Sequence, residues 1–297
     1  MTPAELRDLI RVPARPRAAP LVLERAVAAA DGVAVETLRL DLGEGRSTRA
    51  FLTRPDAPAA RLPAVLYCHA HGARYAIGAA ELLDGRPSLL SPYGPLLAGR
   101  GFVTLCLDMP TFGDSAGEKE DALSKALAWQ GRTLMGEMLA DLIAGVDHLA
   151  ARDDVDPARI AAFGLSMGAT HAYFLAAIEP RIARVAHLCC FADLTTLIAS
   201  GAHDLHGHYM TIPGLLAKTS FGRIAGMVAP RPQLVCTGDR DPLTPPGAVD
   251  VAFAECFSAY RAAGAQAALL RLAEPDTGHV ETPAMRAAVL SFLDAMR

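Results

Sequence analysis

Arg159-Ile160-Ala161-Ala162-Phe163-Gly164-Leu165-Ser166-Met167-Gly168-Ala169-Thr170-His171-Ala172-Tyr173-Phe174-Leu175 joins an apolar run to a helix-forming stretch through a glycine-flanked serine. The G-x-S-x-G pattern alone is weak, because three fixed positions in five recur by chance. Its setting makes it informative: a strand runs in, a helix runs out, and Ser166 sits on the sharp turn between them. A serine hydroxyl is a poor nucleophile unless it is held clear of its neighbours and handed to a base. At the start of a helix, the amide of Met167 also faces any negative charge that develops beside Ser166.

Outward from this turn, apolar runs alternate with helical stretches. Val35–Leu42 and Thr48–Thr53, joined at Gly43-Glu44-Gly45, read as an antiparallel start. Pro63–His69, Phe102–Asp108, Arg159–Gly164, Ala183–Phe191, Gln233–Thr237 and Ala267–Leu272 follow as short strands. Ser91–Arg100, Lys119–Arg152, Met167–Ile178, Ala248–Ala263 and Pro283–Met296 read as helices. Strands apolar on both faces belong to a covered sheet, and strand–helix alternation makes parallel crossovers. The expected fold class is α/β: one domain over residues 1–297, with a mostly parallel sheet covered by helices on both faces. Residues 1–32 are expected to form a helical N-terminal extension. Residues 192–229, after the sixth major strand, are too long for an ordinary connection and are expected to form a helical, cap-like insertion. Its His208, Tyr209 and Met210 are candidate pocket residues.

A nucleophilic serine in this setting is followed along the chain by an acid and then a histidine. His279, between the last strand and the last helix, is the one histidine beyond the insertion. For the acid, Thr237-Gly238-Asp239-Arg240-Asp241-Pro242 offers two neighbours. Asp241, deeper in the loop and followed by proline, is the choice; Asp239 reads as a turn-capping residue, and Asp193 is a third candidate. The second oxyanion donor is sought in His69-Ala70-His71-Gly72-Ala73-Arg74-Tyr75, with the amide of His71 favoured and those of Ala70 and Ala73 as alternatives. The His-x-His in that loop, with His203, His206 and His208, also admits a rival reading as a metal-dependent hydrolase. The place of the next ligands in such a pattern is held by Ala73 and Arg74, so no metal is expected.

Bulk composition narrows the partners. Of 297 residues 52% are apolar and 20% charged, and the net charge is −4, with no basic cluster to suit nucleic acid. No run reaches the roughly 18 apolar residues of a membrane span, and the start of the chain lacks a signal-like apolar stretch. Five of the six cysteines, Cys68, Cys106, Cys189, Cys190 and Cys236, lie in apolar strand runs; with Cys256 they read as reduced thiols of a cytoplasmic protein.

With Ser166, Asp241 and His279 in this order, residues 35–297 resemble the α/β-hydrolase superfamily. Pro63–Gly72, Asp154-Val155-Asp156-Pro157-Ala158-Arg159-Ile160 and Gly238–Pro245 are most similar to its dienelactone hydrolase and acetyl xylan esterase-like branch. That resemblance implies the α/β-hydrolase fold, no cofactor, and a small-molecule ester or lactone as substrate. Dienelactone hydrolases use a cysteine where this chain has Ser166, which moves the expectation to a serine carboxylic ester hydrolase, deacetylation included. An amidase or peptidase with the same triad is the alternative, and a non-catalytic binder on the same fold is the reading from outside enzymology. Whether the chain is monomeric or a homodimer is left open.

Overall fold

The structure is a computed structural model and describes residues 1–14, 18–58 and 60–297. Its centre is a nine-stranded sheet: β1 Val22–Ala30, β2 Val33–Gly43, β3 Arg46–Pro55, β4 Leu62–Cys68, β5 Val103–Leu107, β6 Val155–Leu165, β7 Ile182–Leu188, β8 Gln233–Gly238 and β9 Leu269–Glu274. The spatial order is β1-β2-β3-β5-β4-β6-β7-β8-β9. Pairs from β1 to β5 along this order are antiparallel, and every pair from β5 to β9 is parallel. The α/β class and the antiparallel start are as expected, and the fold is that of the α/β hydrolases.

Alternation along the central strands explains why the sheet is covered twice. On β4, Ala64, Leu66 and Cys68 enter one core and Val65 and Tyr67 the other; on β6, Ile160 and Ala162 oppose Ala161, Phe163 and Leu165. Successive side chains point to opposite faces, so a strand apolar at every position needs helices on both sides. Leu134–Ala150, Met167–Ile178 and Pro246–Ala262 supply the first core, and Tyr93–Ala98 with Pro283–Asp294 supplies the second.

Two expectations are corrected. The single helix over Lys119–Arg152 is two, Glu120–Trp129 and Leu134–Ala150. Gly131 takes φ 71°, and Thr133 starts the second helix by accepting the Gly136 N–H at 2.9 Å, so turn and cap override the continuous helical propensity. The helical extension over residues 1–32 is a short helix, Pro3–Leu9, followed by β1; residues 15–17 of that expectation lie outside the described residues. The alanine-rich Val22–Ala30 favours a helix locally, but pairing with β2 wins. Because β1 precedes the expected strands, the 192–229 segment follows β7, the seventh strand.

Candidate active site

Ser166 follows β6 directly and starts the helix Met167–Ile178. Its φ of 57° and ψ of −123° lie where a side chain is strained, a cost that surrounding structure must hold. The Ser166 N–H donates to Leu188 O at 2.8 Å, and its carbonyl accepts from Ala169 N at 2.9 Å. The two glycines make the turn possible. A Cβ on Gly168 would sit 1.9 Å from Cys68 O, and one on Gly164 would sit 2.4 Å from the Gly168 carbonyl carbon. The elbow is thus pressed against the end of β4, where the His69–Tyr75 loop begins.

Asp241 and His279 come from the ends of β8 and β9. These strands and β6–β7 are parallel neighbours, so Ser166, Asp241 and His279 all emerge at the carboxyl edge of one sheet. Asp241 is 1% exposed; its Oδ2 accepts from His279 Nδ1 at 2.6 Å and from Thr244 Oγ1 at 3.1 Å, and its Oδ1 from Leu243 N at 2.9 Å. A buried carboxylate so engaged orients the ring through Nδ1. Asp239 is exposed, and what the structure gives it is a backbone bond, N to Glu274 O at 3.0 Å. Asp193 caps the helix Leu194–Ser200, accepting from Thr196 N and Oγ1, each at 2.8 Å. The histidine loop is tied down by Glu281, a residue sequence reasoning missed. Its carboxylate takes Leu90 N at 3.0 Å, Arg286 at 2.6 Å and the Tyr93 hydroxyl.

In the loop after β4 the candidate amides separate. Ala70 N donates to Glu81 Oε2 at 3.0 Å, and Ala73 N to His71 Nδ1 at 3.0 Å. Of the three amides considered, that of His71 has no acceptor among the described residues. Burial raises the pKa of Glu81, a shift that Arg86 and the hydrogen bonds from Tyr67 and Ala70 only partly offset. The paired histidines have partners of their own. His69 donates to Ala70 O at 3.2 Å and accepts from Met109 N at 3.1 Å, and burial lowers its pKa to about 3. His71 Nε2 donates to Glu120 Oε2 at 2.7 Å. Among the described residues no three His, Cys, Asp or Glu are arranged to hold a metal ion.

The 192–229 segment folds as Leu194–Ser200, Ala202–Leu205, His208–Met210, Leu215–Ala217 and Phe221–Gly226. It forms a half-open pocket of about 420 Å³ whose lining includes Leu194, Ile198, His206, His208, Met210 and Leu216. Tyr209 is not part of that lining; it is buried, with its ring 6.0 Å from His71 and 5.5 Å from His171. His206 links cavity to site: it donates to Leu243 O at 2.9 Å, two residues from Asp241. No helix among the described residues is long and apolar enough to cross a membrane, and all six cysteines are buried and free.

An elbow serine on this sheet, with an aspartate–histidine pair two and three strands away, defines a class: the serine hydrolases of α/β-hydrolase fold. The model of the prolyl oligopeptidase family matches residues 96–295, more than half of the chain, and the chain belongs to that family. It is 35% identical over 260 residues to YtaP of Bacillus subtilis, a protein named as a hydrolase, covering 87% of each chain. Among solved structures it superposes on a glucuronoyl esterase from Solibacter usitatus with a TM-score of 0.71 at 12% identity, covering 99% of this chain and 92% of that one. With acetyl xylan esterase 1 from Thermoanaerobacterium the TM-score is 0.66 at 16% identity, over 99% and 92%. Identities this low speak for the fold alone.

Proposed function

We propose that the chain is a carboxylic ester hydrolase that acts through an acyl-enzyme on small or medium acyl esters, with Ser166 as nucleophile, His279 as general base and Asp241 as its orienting acid. The observation that carries this is the 2.6 Å contact of His279 Nδ1 with buried Asp241, at the sheet edge that bears the strained Ser166. Ser166 Oγ attacks the acyl carbon while His279 Nε2 takes its proton. The carbonyl oxygen becomes an oxyanion facing the amides of Met167 and His71. The proton then passes from His279 to the leaving alkoxide, which departs as the alcohol. Water, deprotonated by His279, attacks the acyl-enzyme; the acid leaves and Ser166 regains its proton. No step needs a cofactor.

The 192–229 segment is assigned as the cap that selects the substrate. Half of its cavity lining is apolar, with three imidazoles and the Asp204 carboxylate among the rest, which suits a medium apolar group bearing a polar end. The family's name favours a second reading, cleavage of an amide or peptide by the same residues. p-Nitrophenyl esters tested against matching anilides separate the two: esters should be turned over and anilides should not. Ser166→Ala should reduce ester turnover on the order of 10⁶-fold and abolish labelling by a fluorophosphonate. Turnover within tenfold of the parent protein would overturn the assignment.

A further inference from the structure

Glu120, the first residue of Glu120–Trp129, is 4% exposed and belongs to no step above. Its Oε2 accepts from His71 Nε2 at 2.7 Å and from the Tyr75 hydroxyl at 2.9 Å, while its Oε1 accepts the backbone N–H of Tyr209 at 3.3 Å. Two of these donors lie on the loop after β4 and the third in the 192–229 segment. Burial works to raise its pKa, but the hydrogen bonds of its neighbours outweigh that, His71 first, and hold the carboxyl below its usual range. The ion is therefore kept. The contact has no slack: a Cβ on Gly207 would lie 2.7 Å from His71 Nε2 and 2.8 Å from Glu120 Oε1. The His71 ring is further confined edge-on by Tyr75 at 5.1 Å and Phe112 at 5.2 Å. Its Nδ1 accepts the Ala73 amide, so the ring braces its own loop from within.

We propose that Glu120 is a positioning residue that sets the direction of the His71 N–H and clamps it to the substrate-selecting segment. The inference rests on the esterase reading with His71 in the oxyanion hole. A buried carboxylate taking three donors leaves none of them free to turn, and the amide it governs belongs to the same residue whose ring it holds. An oxyanion donor acts on the transition state and not on the bound ester. Misaligning it should lower kcat and leave KM nearly unchanged.

Glu120→Gln keeps the shape but turns an –NH₂ towards one of the three donors. Full loss of an oxyanion donor costs roughly 10²–10³ in kcat; a displaced one should cost about 10- to 100-fold. The readout is kcat per active site, counted by fluorophosphonate titration, beside the inhibition constant of a trifluoromethyl ketone, which forms a tetrahedral adduct with Ser166. In Glu120→Gln that constant should weaken by the same factor as kcat/KM, with KM within threefold. Tyr75→Phe, which removes one bond to Oε2, should move both in the same sense by a smaller factor, and it carries the test if Glu120→Gln does not fold. A normal kcat and unchanged ketone affinity in the folded variants would overturn the clamp, as would a loss confined to melting temperature. Failure of the esterase reading is recognised separately, by Ser166→Ala that still turns over ester.

Discussion

At the scale of single residues, the site rests on choices between neighbours that differ by two or three positions. Asp239 and Asp241 share one turn, yet one is exposed and the other is 1% exposed and 2.6 Å from an imidazole. Asp241→Asn turns an amide towards Nδ1 and disfavours the tautomer the base needs. In a comparable serine triad that change costs about 10⁴ in kcat, and a loss on the order of 10³–10⁴ is expected here. Asp239→Asn should stay within about threefold, so that steady-state kinetics of the pair decide the assignment; the reverse ranking would move the acid to Asp239. The candidates Ser166, Asp241 and His279 could be named from the sequence because chain order and strand ends constrain them. Glu120 was not. In Glu118-Lys119-Glu120-Asp121 it looks like any charge in a solvated run, and only packing from the loop after β4 and from Gly207 buries it. Glu81 and Glu281 were hidden for the same reason: each serves backbone and side chains far off in sequence, such as Glu281 with Leu90 N.

At the scale of elements, the strands of the covered sheet were found to within a few residues because an apolar run without alternation has one stable place, between two helical layers. β1 was missed because its alanines carry the opposite local preference and its side chains are exposed along its length, so no buried pattern marks it. The 192–229 segment was visible as an element too long for a connection, but its inner order was not. Tyr209, expected in the pocket wall, turns to His71 and His171, and aliphatic residues of Leu194–Ser200 and Leu215–Ala217 take its place. If that cavity receives the acyl chain, shortening a lining residue should change chain-length preference and little else. Ile198 and Leu216 are 49% and 40% exposed, so replacing either with alanine leaves the core intact. The expected outcome is a shift of up to about tenfold in the ratio of kcat/KM for octanoate over acetate esters, since methylene-sized changes are worth about 1–3 kcal/mol. An unchanged ratio in both variants would leave the segment with a covering role only.

At the scale of the whole molecule, burial has a consequence for pH. His69, His148, His171 and His187 are buried, and burial, the first cause in each case, lowers their pKa values to about 3, 4, 4 and 3. His187 accepts from Gln233 Nε2 at 2.9 Å; Met167 O takes the Nδ1 proton of His171 at 2.8 Å, a bond that favours the charged ring but only partly offsets its burial. In the unfolded chain each imidazole titrates near 6.5. As pH falls through that value, the unfolded state takes up protons that the native state refuses, so stability must fall with it. The window runs from about pH 6.5 down to about 4. Each such histidine contributes on the order of 1 kcal/mol per pH unit, and the four together on the order of 4 to 5 kcal/mol per pH unit at most. Glu36, lowered to about 2 against its burial by Arg152, Arg54 and Arg25, acts in the same sense below pH 4.5. Glu81 and Asp108, raised chiefly by burial, oppose it at the acid end. A domain commonly holds only 5–15 kcal/mol in reserve, so cooperative acid unfolding is expected between about pH 5 and 4. Urea midpoints measured from pH 7 to 4.5 should drop steeply, and His148→Gln should make the drop shallower by close to one proton. A midpoint that stayed level across that range would mean these rings accept protons in place, and that they are not sealed from solvent.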